Sequence, residues 1–275
     1  MKEKKILVIG GTGKTGRKVI KRLAGLGKPV RTGSRNENPS FDWENSVTWG
    51  NALDGIESVY LTFQPDLAVP GARESIEEFT SLAVKSGVKK IVFLSGKGEK
   101  EAELCEEVIK NSVVNWTIVR ASWFNQNFSE SFFLDSIKAG QIALPKAETL
   151  IPFVDTDDIA EVAVEALLDE KHNGKTYELT GPRQLTFKQV AEEISESTGR
   201  TINFDSITMD EYKNLLLENN VPEDYIWLID YLFTEVLVEK NSVVTHDIEK
   251  VLGRKAKDFS EYARETAATG IWDSF

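Results

Sequence analysis

The sequence predicts an α/β fold, a doubly wound parallel sheet with a smaller, mostly helical C-terminal portion. Three observations carry this reading. Apolar runs rich in β-branched residues alternate with segments of helical period across residues 1–120. The first run, Lys5–Ile9, enters a glycine-rich turn, Gly10-Gly-Thr-Gly-Lys-Thr-Gly16, that opens an amphipathic segment. Beyond residue 181 the alternation stops and capped helices follow.

The start is the most informative stretch. After the glycines, Val19, Ile20, Leu23, Ala24 and Leu26 recur at helical spacing. Strand, glycine turn and helix form the context in which such a run binds a dinucleotide. Gly10 allows the sharp turn, Gly13 lets the backbone approach a pyrophosphate, and Gly16 lets helix and sheet pack closely. The helix N-terminus offers free N–H groups and partial positive charge to phosphates. Thr12, Lys14 and Thr15 complete the expected cofactor loop.

The second strand, Pro29–Ser34, ends beside the expected adenosine ribose. An acidic residue there suits NAD, whereas an arginine suits a 2′-phosphate. This chain has Ser34-Arg35-Asn36, with Lys14 and Arg17 nearby, so NADP(H) is expected over NAD(H), although Glu37 lies close. A compact segment follows, through Phe41-Asp-Trp43, Trp49 and Ala52-Leu-Asp-Gly55. Ser58–Thr62 is the next strand, and Thr62, Phe63 and Gln64 at its carboxyl end are candidates to line the cofactor.

Arg73–Ser86 has the apolar stripe of a helix, and Lys90–Ser95 is a buried strand. Ser95 and Gly96 at its tip are expected near the nicotinamide ribose. Glu99–Asn111 is a helix and Asn115–Arg120 a strand. Farther on, Asn127–Ala139 predicts a helix and Leu150–Val154 a strand. Asp155-Thr-Asp-Asp158 reads as a helix cap or, less simply, an acidic metal cluster; it leads into a helix reaching about Asp169. Tyr177–Thr180 is a strand. Thr186-Phe-Lys-Gln189 and Thr208-Met-Asp-Glu211 are capping boxes, and Trp227–Val238 is an aromatic-rich helix.

Composition narrows the function classes. Apolar content of 41% and charged content of 28% over 275 residues are ordinary for a globular chain. A formal net charge of −11 disfavours nucleic acid and anionic membrane surfaces as partners. One cysteine, Cys105, excludes an internal disulfide and reads as a packed side chain. No apolar stretch approaches the ~18 residues of a membrane span, and Met1–Lys5 leaves no room for a signal peptide, so a cytoplasmic location is expected. His172 and His246 fall in polar surroundings and are expected to be exposed. No metal is expected.

A short-chain reductase normally carries Tyr-x-x-x-Lys, whose lysine lowers the tyrosine pKa for general-acid work. None of the six tyrosines here has a lysine four residues on. The sequence therefore shows a cofactor site and leaves the catalytic residues unknown.

Four motifs occur in order: the glycine run, Trp116–Phe128, Phe153–Ala160 and Tyr177–Pro182. Together with Val251-Leu-Gly-Arg254 they resemble the NmrA-like branch of atypical short-chain dehydrogenases. The segment from Phe41 to Gly55 more narrowly resembles the ergot-alkaloid-type reductases and their bacterial relatives. The resemblance implies a Rossmann domain binding NADP(H) over residues 1–181, with 125–150 leaning to the substrate side, and a smaller substrate-side domain over 182–275. Trp123, Phe124 and Phe128 would then line an apolar substrate pocket. It also implies two open functions. One is NADPH-dependent hydride transfer to a conjugated, quinone-like or iminium acceptor without the tyrosine acid. The other is a non-catalytic NADP(H)-binding redox sensor. The partner is a small molecule, and both monomer and homodimer stay open.

Overall fold

The computed structural model describes residues 5–131 and 133–274. The readings that fall on residues 1–4 lie outside the described residues. In chain order the first elements are β1 (Lys5–Ile9), α1 (Gly16–Gly25), β2 (Val30–Gly33), α2 (Trp49–Leu53), β3 (Ile56–Leu61), α3 (Ala72–Lys85), β4 (Lys90–Gly96), α4 (Lys100–Lys110) and β5 (Asn115–Ala121). Then come α5 (Phe133–Lys138), β6 (Gln141–Leu144), α6 (Thr156–Leu168), β7 (Lys175–Leu179), α7 (Phe187–Thr198) and β8 (Asn203–Ser206). The chain ends with α8 (Met209–Glu218), α9 (Glu223–Tyr231), α10 (Asp247–Leu252) and α11 (Phe259–Ala267).

The contacts divide the chain into two compact units. The first holds Met1–Ala121, Thr156–Leu179 and Lys250–Gly253; the second holds Ser122–Asp155, Thr180–Glu249 and Arg254–Phe275. The sequence reading put the boundary after residue 181 with 125–150 leaning to the substrate side; the chain leaves the first unit at Ser122 and returns at Thr156, so the whole of 122–155 belongs to the second unit. The physical reason lies in three rings. Phe128, Phe133 and Phe153 pack against Phe187 of α7, so 122–155 share the second unit's core.

The first unit carries a six-stranded sheet in the order β2-β1-β3-β4-β5-β7, with every pairing parallel. β1 is buried on both faces from Ile6 onward, which is why it reads as an unbroken apolar run. Helix pairs α1 with α6 and α3 with α4 pack together over the sheet. This is the expected doubly wound Rossmann architecture. The crossover between β2 and β3 carries only a 3-10 turn at Ser46–Thr48 and the short α2. Phe41, Trp43, Trp49 and Phe79 fill the space in a cluster of ring contacts. Arg31 donates to the carbonyls of Ala52 and Asp54 at 2.8 and 2.7 Å, closing the end of α2.

The second unit is mostly helical around a core that includes Phe128, Phe187, Phe233 and Trp272. Both capping boxes form: Gln189 and Glu211 main-chain N–H groups donate to Thr186 and Thr208 at 3.2 Å, and each acidic or amide side chain reaches back. Four details differ from the sequence expectation. The aromatic-rich helix expected over Trp227–Val238 is α9, Glu223–Tyr231, followed by a π turn at Leu232–Val236. The helix expected over 127–139 is a 3-10 turn at Asn125–Phe128 followed by the short α5; residue 132 lies outside the described residues. Leu150–Val154 makes isolated bridges, Ile151 to Leu185 and Val154 to Phe124, instead of a strand in a sheet. Conversely β6 and β8 pair in parallel as a two-stranded ribbon. Each strand is only four residues long, Gln-Ile-Ala-Leu and Asn-Phe-Asp-Ser, too short for a period of two to stand out, so the pairing was not legible.

Candidate cofactor-binding edge

The carboxyl ends of β1–β4 gather most of the residues expected to bind the cofactor. Gly10 has φ +68°, and a Cβ there would overlap the Thr62 hydroxyl. A Cβ on Gly16 would overlap the Gly10 carbonyl oxygen. Both positions therefore require glycine. The Thr62 hydroxyl donates to the Ile9 carbonyl at 3.1 Å, so its side chain props the turn from below instead of facing a ligand. Gly10 and Gly11 donate to the Gly33 carbonyl and Gly13 donates to Gly10. The Thr12 and Thr15 N–H groups are left without a protein acceptor among the described residues.

A Cβ on Gly13 would sit 3.2 Å from the Gly10 carbonyl oxygen and 4.0 Å from the Gln64 amide, a tight approach that glycine avoids. The first turn of α1 has no acidic residue and its N-cap makes no side-chain hydrogen bond. Tight glycines, free N–H groups and an uncapped, positively polarised helix end fit a dinucleotide pyrophosphate. Thr12 is exposed; Lys14 is partly buried beside it. The Thr15 hydroxyl is buried and accepts from Tyr60 at 3.0 Å, which leaves its main chain to serve the ligand. Arg35 is exposed just past the tip of β2. Phe63 packs on Trp43 with ring centres 4.7 Å apart, while Gln64 stays exposed.

The tip of β4 departs from expectation. The Ser95 side chain turns inward and donates to the Glu106 carboxylate at 2.8 Å, so it faces the interior instead of a ribose. Glu106 is fully buried and held in a bidentate pair by Arg120 at 2.6 and 2.7 Å. Burial works to raise the Glu106 carboxyl, but Arg120 and Ser95 outweigh it and hold it below the usual carboxylate range. Arg120 also reaches Glu178 of β7 at 3.3 Å. Gly96 is overhung by another side chain, since its missing Cβ would overlap the Glu99 carboxyl. Burial pushes Glu99 well above the usual range, and the charges of Asp66 and Glu101 add to the shift. Neither carboxylate was singled out in the sequence. Glu106 and Arg120 lie 14 residues apart on different elements, with no short-range pattern to join them.

In the second unit, Trp123 is partly buried, edge-on to Phe187 and Phe233. Phe124 is partly exposed and its main chain bridges to Val154. Phe128 is fully buried among Phe133, Phe153 and Phe259 and is a core residue, not a pocket wall. His172 is buried, contrary to expectation, with its Nδ1 2.8 Å from the Tyr177 hydroxyl; His246 is exposed. Cys105 is a packed side chain whose thiol burial pushes up to about 12. Among the described residues no group of three His, Cys, Asp or Glu could hold a metal ion. Asp157 instead pairs with Lys18 at 2.8 Å. No helix among them is long and apolar enough to cross a membrane.

The NmrA-like family model matches residues 50–266. The chain belongs to the NmrA-like family. It is 32% identical to the prestalk A differentiation protein A of Dictyostelium discoideum, covering 95% of this chain and 92% of that one. It is 30% identical to an uncharacterized oxidoreductase, YesF, of Bacillus subtilis over 100% of this chain and 99% of that one. It is also 30% identical to festuclavine dehydrogenase easG of Aspergillus fumigatus over 96% and 98% of the two chains. Among solved structures, the Citrobacter triphenylmethane reductase complexed with NADP(H) superposes with a TM-score of 0.75 at 20% identity, covering 96% of this chain and 99% of that one. That similarity shows a shared fold over nearly the whole of both chains.

Proposed function

We propose that this NmrA-like, NAD(P)H-dependent oxidoreductase prefers NADPH and reduces a flat, conjugated small-molecule acceptor. The observation that carries the reading is the glycine cradle at the β1 tip. Thr12 and Thr15 N–H groups and the start of α1 would hold the pyrophosphate, with Gly13 allowing close approach. Arg35 would pair with the 2′-phosphate, and no acidic residue stands at position 34 or 35 to favour a bare ribose. Gln64 beside Gly13 and the Phe63 ring would line the path past β3. The bound cofactor supplies the hydride. The chain's part is to fix donor and acceptor face to face, for which orientation and exclusion of water supply much of the rate. Acceptors of quinone, dye or iminium type suit a site without the tyrosine–lysine pair.

Titration with NADPH and NADH, followed by nucleotide fluorescence, tests the reading. Wild type should bind NADPH more tightly, and Arg35→Ala should lose about tenfold in NADPH affinity while NADH is little changed, as expected for one charge-assisted phosphate contact. Equal affinities unaffected by Arg35→Ala would remove the phosphate-reading role. Cofactor binding with no turnover of any quinone, dye or iminium acceptor would replace the reductase reading with the sensor.

A further inference from the structure

A neutral conjugated acceptor needs a proton as well as a hydride, and the residue that normally gives it is missing from this chain. Resting on the reductase reading above, we propose that Glu99 is the proton donor, and that the substrate is accordingly a neutral quinone-, azo- or enone-like acceptor.

The placement carries the argument. β4 ends at Gly96, and the chain reverses through Gly98 at φ +83°. That turn returns Glu99 over the strand tip, with its carboxyl in the volume a side chain at position 96 would occupy. Ligands of doubly wound sheets lie beyond the carboxyl ends of the strands, and β4 is two strands from the cradle of β1. Among the described residues no cation or hydrogen-bond donor pairs with the Glu99 side chain. Asp66, in the loop that also carries Phe63 and Gln64, acts on it from beyond β3, and Glu101 acts from the first turn of α4. Asp66 is itself raised, by burial first, while its carboxylate accepts from the Ala68 N–H at 2.8 Å.

Glu106, one α4 stripe away, is driven the opposite way by Arg120. Two carboxyl groups near one strand tip are thus shifted in opposite directions, the arrangement that assigns an acid. Glu99 is partly exposed, so solvent can reload it.

The step balances. Hydride adds to the electrophilic end of the acceptor, and the conjugated electron pair moves to its oxygen or nitrogen. That atom takes the Glu99 proton, leaving the Glu99 carboxylate, which regains a proton from water. A cationic triphenylmethane dye needs no proton, because hydride alone gives its neutral product.

The test compares wild type with Glu99→Gln on 1,4-naphthoquinone and on a cationic triphenylmethane dye. The variant should lose about 100-fold in kcat on the quinone, the scale of a general acid. It should keep dye reduction within about threefold and bind NADPH as wild type does. Wild-type quinone kcat should fall as pH rises through the elevated Glu99 pKa, and the variant should lack that limb. In the cofactor-free protein, carboxyl NMR should show Glu99 titrating above the usual carboxylate range, and lower in Asp66→Asn. Gly96→Ala, whose methyl would displace the carboxyl, should reproduce the quinone loss with residue 99 intact. Equal losses on both acceptors, no loss on either, or a Glu99 that titrates normally would each overturn the assignment. Wild type that reduces only the dye would overturn the neutral-acceptor class. Wild type that reduces nothing while binding NADPH would instead bring down the reductase reading, and the acid with it.

Discussion

The tips of β1 and β4 lie on the same edge of the same sheet but are built by different physics. The β1 tip is made of backbone. Gly10 and Gly16 are demanded by overlaps that a Cβ would create with the Thr62 hydroxyl and the Gly10 carbonyl. The β4 tip is made of charge. Ser95, Glu106, Arg120 and Glu178 form a partly buried network, and the Glu99 carboxyl lies against Gly96 at the same tip. A backbone site can change its ligand contacts without costing much stability, whereas a buried charge network ties stability to every member. The two tips should therefore fail differently.

Arg120→Met tests this most severely. It leaves the fully buried Glu106 carboxylate without its bidentate partner, at a cost of about 3–5 kcal/mol, the range for breaking a buried pair. Urea unfolding should show the loss at neutral pH, while any folded fraction should keep its NADPH affinity. A loss below about 1 kcal/mol would mean the network behaves as a surface pair.

Gly16→Ala should show the opposite balance. The new methyl meets main-chain atoms of Gly10 and Gly11, which cannot rotate away. Overpacking of this kind costs about 1–3 kcal/mol. The displaced turn should lose nucleotide binding by more than its stability loss explains. Retained NADPH affinity in a folded variant would show that the cradle does not hold the pyrophosphate.

The same contrast explains what was legible in the sequence. Glycines at fixed spacing announce the β1 tip because the demand for them is local: turn, approach and helix packing all fall within seven residues. The sheet was legible for a similar reason, since each strand buried on both faces is a continuous apolar run. The charge network was not. Ser95 at a strand tip looked like a ribose contact, and only the fold brings Glu106 beneath it. Phe128 looked like a pocket wall because an aromatic run says nothing about which ring turns inward. His172 looked exposed from its polar neighbours, yet Thr117 fixes its carbonyl at 2.8 Å and the ring is buried against Tyr177.

Ser95→Ala sharpens the comparison through its pH dependence. It removes one hydrogen bond to a buried carboxylate, worth about 1.5 kcal/mol near neutral pH. The Glu106 carboxyl is depressed in the folded state, so the stability it contributes is present above the ordinary carboxylate pKa. That stability is lost as pH falls through the depressed folded value. The gap between wild type and variant should thus be widest near neutral pH and shrink in acid as Glu106 protonates. Chemical denaturation at a series of pH values measures it; a gap that stays constant into acid would show that Ser95 does not help keep Glu106 ionised.

Tyr60→Phe is the mildest test, and it reaches a place where the backbone tip borrows a buried side chain. The Tyr60 hydroxyl is fully enclosed and donates to the Thr15 hydroxyl at 3.0 Å, just before α1 begins. Burial pushes the phenol above its ordinary value, so it stays neutral and acts only as a hydrogen-bond donor. Removing the hydroxyl costs about 1 kcal/mol, the worth of a neutral buried hydrogen bond. The loss should not vary between pH 5 and 9, because neither group titrates there, in contrast to Ser95→Ala. If the cradle is held by its glycines, NADPH affinity should fall less than about threefold. A larger fall with that same small stability loss would mean that Thr15 needs Tyr60 to aim its main chain, and that the β1 tip too depends on side chains outside its motif.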